Sequence, residues 1–399
     1  MNVNELIGRE RHLFAGDIAA HEARIVDALA GARVLVYGGA GSIGREVVLQ
    51  IFRRNPAALH VMDISENNLV ELVRDLRSSI GYMAGETLFL PLDFGGIEAA
   101  AFLASQPPYD YVLNLAAMKH VRSEKDAFSL MRMIKTNILD TRATLLSACR
   151  GGARKYFAVS TDKAKNPANL MGATKRIMED VLFGESEAGK TDVSTARFAN
   201  VAFSDGSLLH GFRQRLLARQ PISAPRDIRR YFVTGPEAGE LCLASLILAG
   251  RREILFPKLD AELSLLTFSE IAVRFLRANG YEPFEVGSED EARDSAADLI
   301  AKGKWPCHFF VSDTPGEKPF EEFYADDDKV DFDRFAGIGV IATPALSADA
   351  HSRYGRFLKT MDDLRAHGRW SKADLVAAIQ EACPELSHVV GQRSLDEKM

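Results

Sequence analysis

The sequence predicts an α/β protein built on a doubly wound parallel sheet, with a smaller second domain and a helical tail. Three observations predict it. Short apolar runs, the first of them rich in valine, alternate with amphipathic stretches over residues 33–160. The connections between them are short, as parallel strands covered on both faces by crossover helices require. A glycine-spaced turn, Gly38-Gly39-Ala40-Gly41-Ser42-Ile43-Gly44, follows the first run directly.

Residues 1–30 read as an amphipathic helical lead-in: Leu6, Leu13, Phe14, Ile18 and Ile25 fall at helical spacings between charges, which suits packing or an oligomer contact. Residues 33–37 (RVLVY) are a buried strand and 45–54 a helix; 59–62 and 66–80 repeat the pair. A third strand, 87–92, and a helix, 97–104, follow. Then come a fourth strand at 111–116, one long helix at 129–149 and a fifth strand at 155–160. Right-handed crossovers wind such a series into one sheet with helices on both sides. After about residue 200 the rhythm weakens. Arg-rich loops (220–231) and an acidic stretch (288–294) mark a second domain interleaved with the first. The apolar run 241–248 (LCLASLIL) is a buried helix, and Ser371 opens another with Asp374 at its third position.

Composition narrows the function classes. The chain of 399 residues is 47% apolar and 26% charged, the profile of a globular protein of two or three units. Forty-nine basic against fifty-five acidic residues give a net charge of −6, which argues against a dedicated nucleic-acid binder. No apolar run approaches the about 20 residues that span a bilayer. The N-terminus lacks the basic-then-apolar order of a signal peptide. Cys149, Cys242, Cys307 and Cys383 are scattered without zinc or disulfide spacing. The expectation is a cytoplasmic, reduced protein with no metal and no membrane or nucleic-acid partner.

Glycines 38, 41 and 44 give the spacing G-x-x-G-x-x-G between a strand and a helix. There they serve a tight turn, close approach of backbone N–H groups to a pyrophosphate, and close packing of helix on strand. Asp63 ends the second strand, 19 residues after Gly44, where a carboxylate accepts from both adenosine ribose hydroxyls and repels a 2′-phosphate. NAD is therefore the expected cofactor. Gly38, Gly41, Ser42, Ile43, Gly44 and Asp63 are its candidate ligands, with Asp93 toward the adenine amino group. The Rossmann-like unit is set at residues 31–200, the substrate domain at 201–335 and a C-terminal helical extension at 336–399.

The fifth strand ends in Ser160-Thr161-Asp162-Lys163, a hydroxyl, a carboxyl and an amine at the edge of the ligand crevice. Met171 and Lys175 follow at i, i+4 on one helix. With Asn114-Leu115-Ala116-Ala117, these features resemble the extended short-chain dehydrogenase/reductases. The sequence departs from that family's Tyr-x-x-x-Lys, with Met171 where the tyrosine would stand. Five segments together are similar to the bacterial UDP-N-acetylglucosamine 4,6-dehydratases of the polysaccharide-biosynthesis type. They are residues 160–176 (STDKAKNPANLMGATKR), 116–121 (AAMKHV), 197–201 (RFANV), 230–232 (RYF) and 315–318 (PGEK). Residues 121–126 (VRSEKD) differ from the family's proline-containing form.

The resemblance implies a 4,6-dehydration. Hydride leaves carbon 4 for NAD, the 4-ketone acidifies the proton on carbon 5, the 6-hydroxyl departs, and hydride returns to carbon 6. It implies Lys163 as the carbon-5 base, Asp162 as the acid for the 6-hydroxyl, and Lys175 and Ala116 at the nicotinamide end. Thr161 is the candidate for the 4-hydroxyl proton. Direct pairing of Asp162 with Lys163 would favour the charged form of each, so the two are expected to face different atoms of the sugar. Lys119, His120, Met171, Asn200, Arg230 and Glu317 are the candidate contacts to a nucleotide sugar, Arg230 for the pyrophosphate because a guanidinium offers a fork of donors. Alternatives are a 4-epimerase of the same family, a GDP-linked substrate for the same dehydration, and an NAD-binding scaffold without activity. Homo-oligomerisation through the lead-in or the tail is expected.

Overall fold

The computed structural model describes residues 2–187, 189–258, 265–312 and 321–387. Its first six strands are β1 (Arg33–Tyr37), β2 (Ala58–Met62), β3 (Glu86–Leu90), β4 (Tyr111–Asn114), β5 (Lys155–Val159) and β6 (Asp192–Ala196). They pair in parallel in the order β3-β2-β1-β4-β5-β6. The strand Glu253–Pro257 extends the sheet in parallel beside β6, and Ile338–Ala342 and Val330–Asp331 close that edge antiparallel. Residues 338–342 were expected within a helical extension. They form a strand because Ile338, Val340 and Ile341 are buried on the sheet, and the tail becomes helical only from Ala348.

Strand order reverses between β1 and β4. The crevice beyond their C-terminal ends is where an open α/β sheet binds its ligand. Both strands are buried along their length, as near-continuous apolar runs of a doubly covered sheet must be. Helices Ser42–Arg53 and Gly235–Ile247 pack closely on one face: a Cβ on Gly239 would lie 2.9 Å from the Glu46 backbone. The apolar run around Leu241 is buried there as expected.

A second core gathers Phe212, Ile222, Phe275, Leu276, Trp305 and Cys307. It lies against the parallel sheet of Ile222–Pro225, Lys304–Phe310 and Glu282–Glu285. The lead-in is tied to both cores. Leu6 and Ile7 join the second, while Phe14, Ile18, Ile25 and Leu29 join the first. Asp17 accepts from the backbone N–H of Ala336 and Gly337 at 2.6 and 2.7 Å. Arg9 grips Glu237 in a buried bidentate pair, 2.8 and 2.5 Å. The tail helices Ala348–His367 and Lys372–Ala382 pack on helix Leu170–Ser186 of the same chain. No described helix is long and apolar enough to cross a membrane.

Candidate active site

The glycine turn owes its shape to close packing. Gly38 has φ +70°, and a Cβ there would lie 2.5 Å from the Ala116 backbone nitrogen just after β4. A Cβ on Gly44 would run into the Gly38 carbonyl oxygen, and one on Gly39 into the Val61 side chain. Gly41 differs. A Cβ there meets only the Gly38 carbonyl at 3.7 Å, ordinary contact within the protein. Its missing side chain leaves open the approach to the N-terminus of helix Ser42–Arg53, which no side chain caps. Backbone N–H groups and a positive dipole end at an uncapped terminus fit a pyrophosphate, with Ser42 and Ile43 in the first turn. The turn, with Ala116 beside it, fits a dinucleotide.

Asp63 stands at the end of β2 and ties two turns together. One carboxylate oxygen accepts from Ala40 N–H of the glycine turn and the other from Ser65 N–H, both at 2.9 Å. Each oxygen keeps a further lone pair for a ribose hydroxyl. Asp93 lies three residues beyond β3, where it accepts from Gly95 N–H at 3.1 Å and pairs with Arg132 at 3.7 Å. Ser42 also holds the loop that crosses the crevice: its hydroxyl accepts from Asp205 N–H at 2.7 Å. Burial lowers the Lys119 ammonium, against the opposing pull of Asp205. The His120 ring lies against Gly206, whose φ is +70°.

At the tip of β5 a one-turn 3₁₀ helix, Asp162–Ala164, carries the candidate acid and base. Thr161 Oγ donates to Asp162 Oδ1 at 2.8 Å, and Lys163 Nζ lies 3.1 and 3.3 Å from the two oxygens of the same carboxylate. Asp162 and Lys163 are therefore paired, against the expectation that they face different atoms. The cause is local: neighbours on one tight turn share its open side, and opposite charges meet there. Asp162 is nearly buried, at 11% side-chain exposure, while Lys163 reaches outward at 37%.

Ser160 faces the other way. Its hydroxyl donates to Glu179 at 2.7 Å. Glu179 in turn is held by Arg197 through two bonds of 3.0 and 2.6 Å, and Arg197 donates on to the Phe323 carbonyl at 2.5 Å. Burial pushes the Glu179 carboxyl up, but the Arg197 guanidinium and the Ser160 hydroxyl outweigh it and hold the group below the usual glutamate range. Thr161, not Ser160, is the strand-end hydroxyl that meets Asp162.

Helix Leu170–Ser186 begins beside this tip. Asn169 and Glu124 cap it, accepting from Gly172 and Met171 N–H, both at 2.8 Å. The divergent 121–126 segment thus supplies a cap through Glu124. Lys175 is buried and donates to the Val159 carbonyl at 2.9 Å. Burial lowers its ammonium to about 8, against the opposing pull of Glu179. Met171, expected among the substrate contacts, is only 4% exposed and its side chain packs inside the protein.

Residues that sequence reasoning missed complete the geometry. Asn137 lies in a π-helical turn, Lys135–Leu139, inside what reads as one long helix. Fully buried, it accepts from Met118 N–H at 2.9 Å and donates to the Met118 carbonyl and Thr174 Oγ, both at 3.0 Å. It fastens the loop after β4 to the helix of Lys175; such π turns recur at functional sites. Glu321, its side chain 1% exposed, accepts from the Asn200 amide and from Tyr231 N–H, and lies 3.8 Å from Arg230 Nε. Asn200 and Arg230, far apart in sequence, meet at this carboxyl. Glu317 lies outside the described residues. Among the described residues no His, Cys, Asp and Glu cluster could hold a metal ion.

The comparisons with known proteins agree with this architecture. The capsular polysaccharide biosynthesis protein CapD of Staphylococcus aureus is 29% identical over 81% of the chain; the match covers 49% of that protein, so the chain spans about half its length. An inverting UDP-N-acetylglucosamine 4,6-dehydratase of Campylobacter jejuni is 30% identical over 58% of the chain and 68% of its own. Among solved structures, DesIV, a dTDP-glucose 4,6-dehydratase from Streptomyces venezuelae with NAD bound, shares the fold at a TM-score of 0.55 and 19% identity, covering 73% of this chain and 88% of that one. The family model described as "Polysaccharide biosynthesis protein" matches residues 34–342. The chain shares the fold of that dehydratase structure and belongs to the polysaccharide biosynthesis protein family.

Proposed function

We propose that the chain is an NAD-dependent 4,6-dehydratase. Its substrate is a nucleotide-linked N-acetylhexosamine, UDP-N-acetylglucosamine first, and its product a 4-keto-6-deoxy sugar for surface-glycan assembly. The observation that carries this reading is the hydrogen-bonded run of Thr161, Asp162 and Lys163 at the tip of β5. The Campylobacter jejuni relative supports the substrate class.

Gly38, Gly41, Ser42, Ile43, Gly44, Asp63, Asp93, Ala116 and Lys175 are the proposed holders of NAD. Bound there, it supplies a hydride acceptor for carbon 4 and a hydride donor for carbon 6. The chain's own residues move the protons. Thr161 Oγ takes the 4-hydroxyl proton and passes its own to Asp162 along the bond of 2.8 Å. No tyrosine is needed, which accommodates a buried Met171. The 4-ketone acidifies carbon 5, and Lys163 Nζ takes that proton. This step asks Lys163 to act as a neutral amine. A sugar entering between Asp162 and Lys163 removes its counter-ion, the charge of Lys175 works in the same direction, and the ammonium proton of Lys163 passes to solvent before the cycle begins and is regained after product leaves. Asp162 then gives the relayed proton to the 6-hydroxyl, which leaves as water. Lys163 returns its proton to carbon 5 as carbon 6 is reduced. The proton balance closes with loss of one water.

Arg230 and Asn200 are the proposed diphosphate and sugar contacts, Lys119 and His120 line the crevice, and Glu317 is assigned to the nucleotide ribose. The test is product analysis. Purified protein with UDP-N-acetylglucosamine is expected to give a product lighter by one water, with no net accumulation of reduced cofactor. An unchanged mass with inversion at carbon 4 would make the chain an epimerase instead. The same assay with GDP-linked sugars decides the nucleotide.

A further inference from the structure

Glu321 has a charge environment that a structural carboxylate would not keep. Its side chain is 1% exposed, and the guanidinium of Arg230, 3.8 Å away, is the cation that acts on it. Among the described residues its other partners are the Asn200 amide, Tyr231 N–H and its own backbone N–H, all uncharged donors. The tip of β5 brings a second carboxylate, Asp162, near enough for its charge to act on Glu321, and Asp162 is itself paired with Lys163. Burial and then the Asp162 charge push the Glu321 carboxyl up to about 7, while Arg230 pulls it down. Arg230 is also the residue assigned to the substrate's diphosphate, so the same guanidinium serves two anions.

We propose that Glu321 is a positioning residue that takes up a proton when a sugar diphosphate engages Arg230. A diphosphate draws on the Arg230 charge and adds negative charge of its own. Both effects favour the neutral form of a buried carboxyl. Once neutral, Glu321 still accepts from Asn200 and Tyr231, and it no longer competes with the diphosphate for Arg230. Binding and proton uptake are then linked, and affinity falls as the pH rises above neutrality.

The inference rests on the nucleotide-sugar reading of the site, and the test separates the two. The probe is UDP-xylose, a diester whose diphosphate does not titrate near neutrality and whose sugar has no 6-hydroxyl to lose. Its binding to the NAD-loaded protein is followed by calorimetry at pH 7.5 in two buffers of different ionisation enthalpy. Uptake of roughly half a proton per site is expected, with affinity falling up to about tenfold per pH unit above neutrality. Glu321→Gln, which keeps an acceptor oxygen, should bind with no uptake and a flat pH profile. Binding without uptake in the wild-type protein would overturn the role of Glu321 and leave the dehydratase reading standing, as would uptake that survives in the Gln variant. Failure to bind UDP-xylose, together with failure to turn over UDP-N-acetylglucosamine, would overturn both.

Discussion

Asp162→Asn and Lys163→Ala should each abolish dehydration, by about 10³-fold or more, yet stop at different points. In the relay, Asp162 receives the proton that leaves the 4-hydroxyl through Thr161. An amide cannot receive it, so Asp162→Asn should block oxidation itself, with no reduced-cofactor absorbance in a single turnover. Lys163 acts only after the ketone exists. Lys163→Ala should therefore oxidise carbon 4 and stall, holding a ketone and a reduced cofactor. General acid–base groups typically contribute 10²–10⁴-fold, which is the loss expected at each step. Both variants should still bind NAD, since neither residue belongs to the glycine turn. Reduced-cofactor absorbance in Asp162→Asn equal to that of Lys163→Ala would show that another group takes the 4-hydroxyl proton.

Arg197→Met should be the most destabilising single change near the site. It removes the guanidinium that pairs with Glu179, 1% exposed, and leaves that buried carboxylate only the unbonded charges of Arg176 and Lys175. Removing one partner of such a pair costs about 3–5 kcal/mol, read as a lower denaturant midpoint. Pairing Arg197→Met with Glu179→Leu should recover most of that stability, because a buried ion pair and a well-packed apolar pair are often equivalent. Activity should not return with it. The pair also holds Ser160 and the Phe323 carbonyl, and so fixes the strand tip against the segment that carries Glu321. The Glu179 carboxyl is held below its ordinary range. The pair's contribution is thus fully present above that range and fades as the pH falls through the depressed value. A double variant as active as the wild type would reduce the pair to a purely structural feature.

Much of the sheet and the cofactor side was legible because its signals are local. Short apolar runs fix the strands, and a glycine spacing between strand and helix needs no distant residue to interpret it. The strand tip was legible as a run of chemical groups. Its wiring was not. Period-two alternation sends Ser160 and Thr161 to opposite faces, a signal present in the sequence that composition-level reading passes over. The pairing of Asp162 with Lys163 depends on a 3₁₀ turn that no pattern announces. Asn137 sits in a π turn hidden within an unbroken helical periodicity. Glu321 is 121 residues from Asn200 in sequence, and only the fold brings them together. The strand at 338–342 is short and apolar, a pattern that helix and strand share.

The most direct test of the internal redox cycle follows a single label. UDP-N-acetylglucosamine carrying deuterium at carbon 4 is incubated with the wild-type protein in ordinary water, and the product is read by mass spectrometry and NMR. The account predicts a 4-keto-6-deoxy sugar that has lost one water and carries the deuterium in its carbon-6 methyl group. Deuterium still on carbon 4 of an inverted, undehydrated sugar would contradict it, and so would a dehydrated product whose label has been lost to solvent.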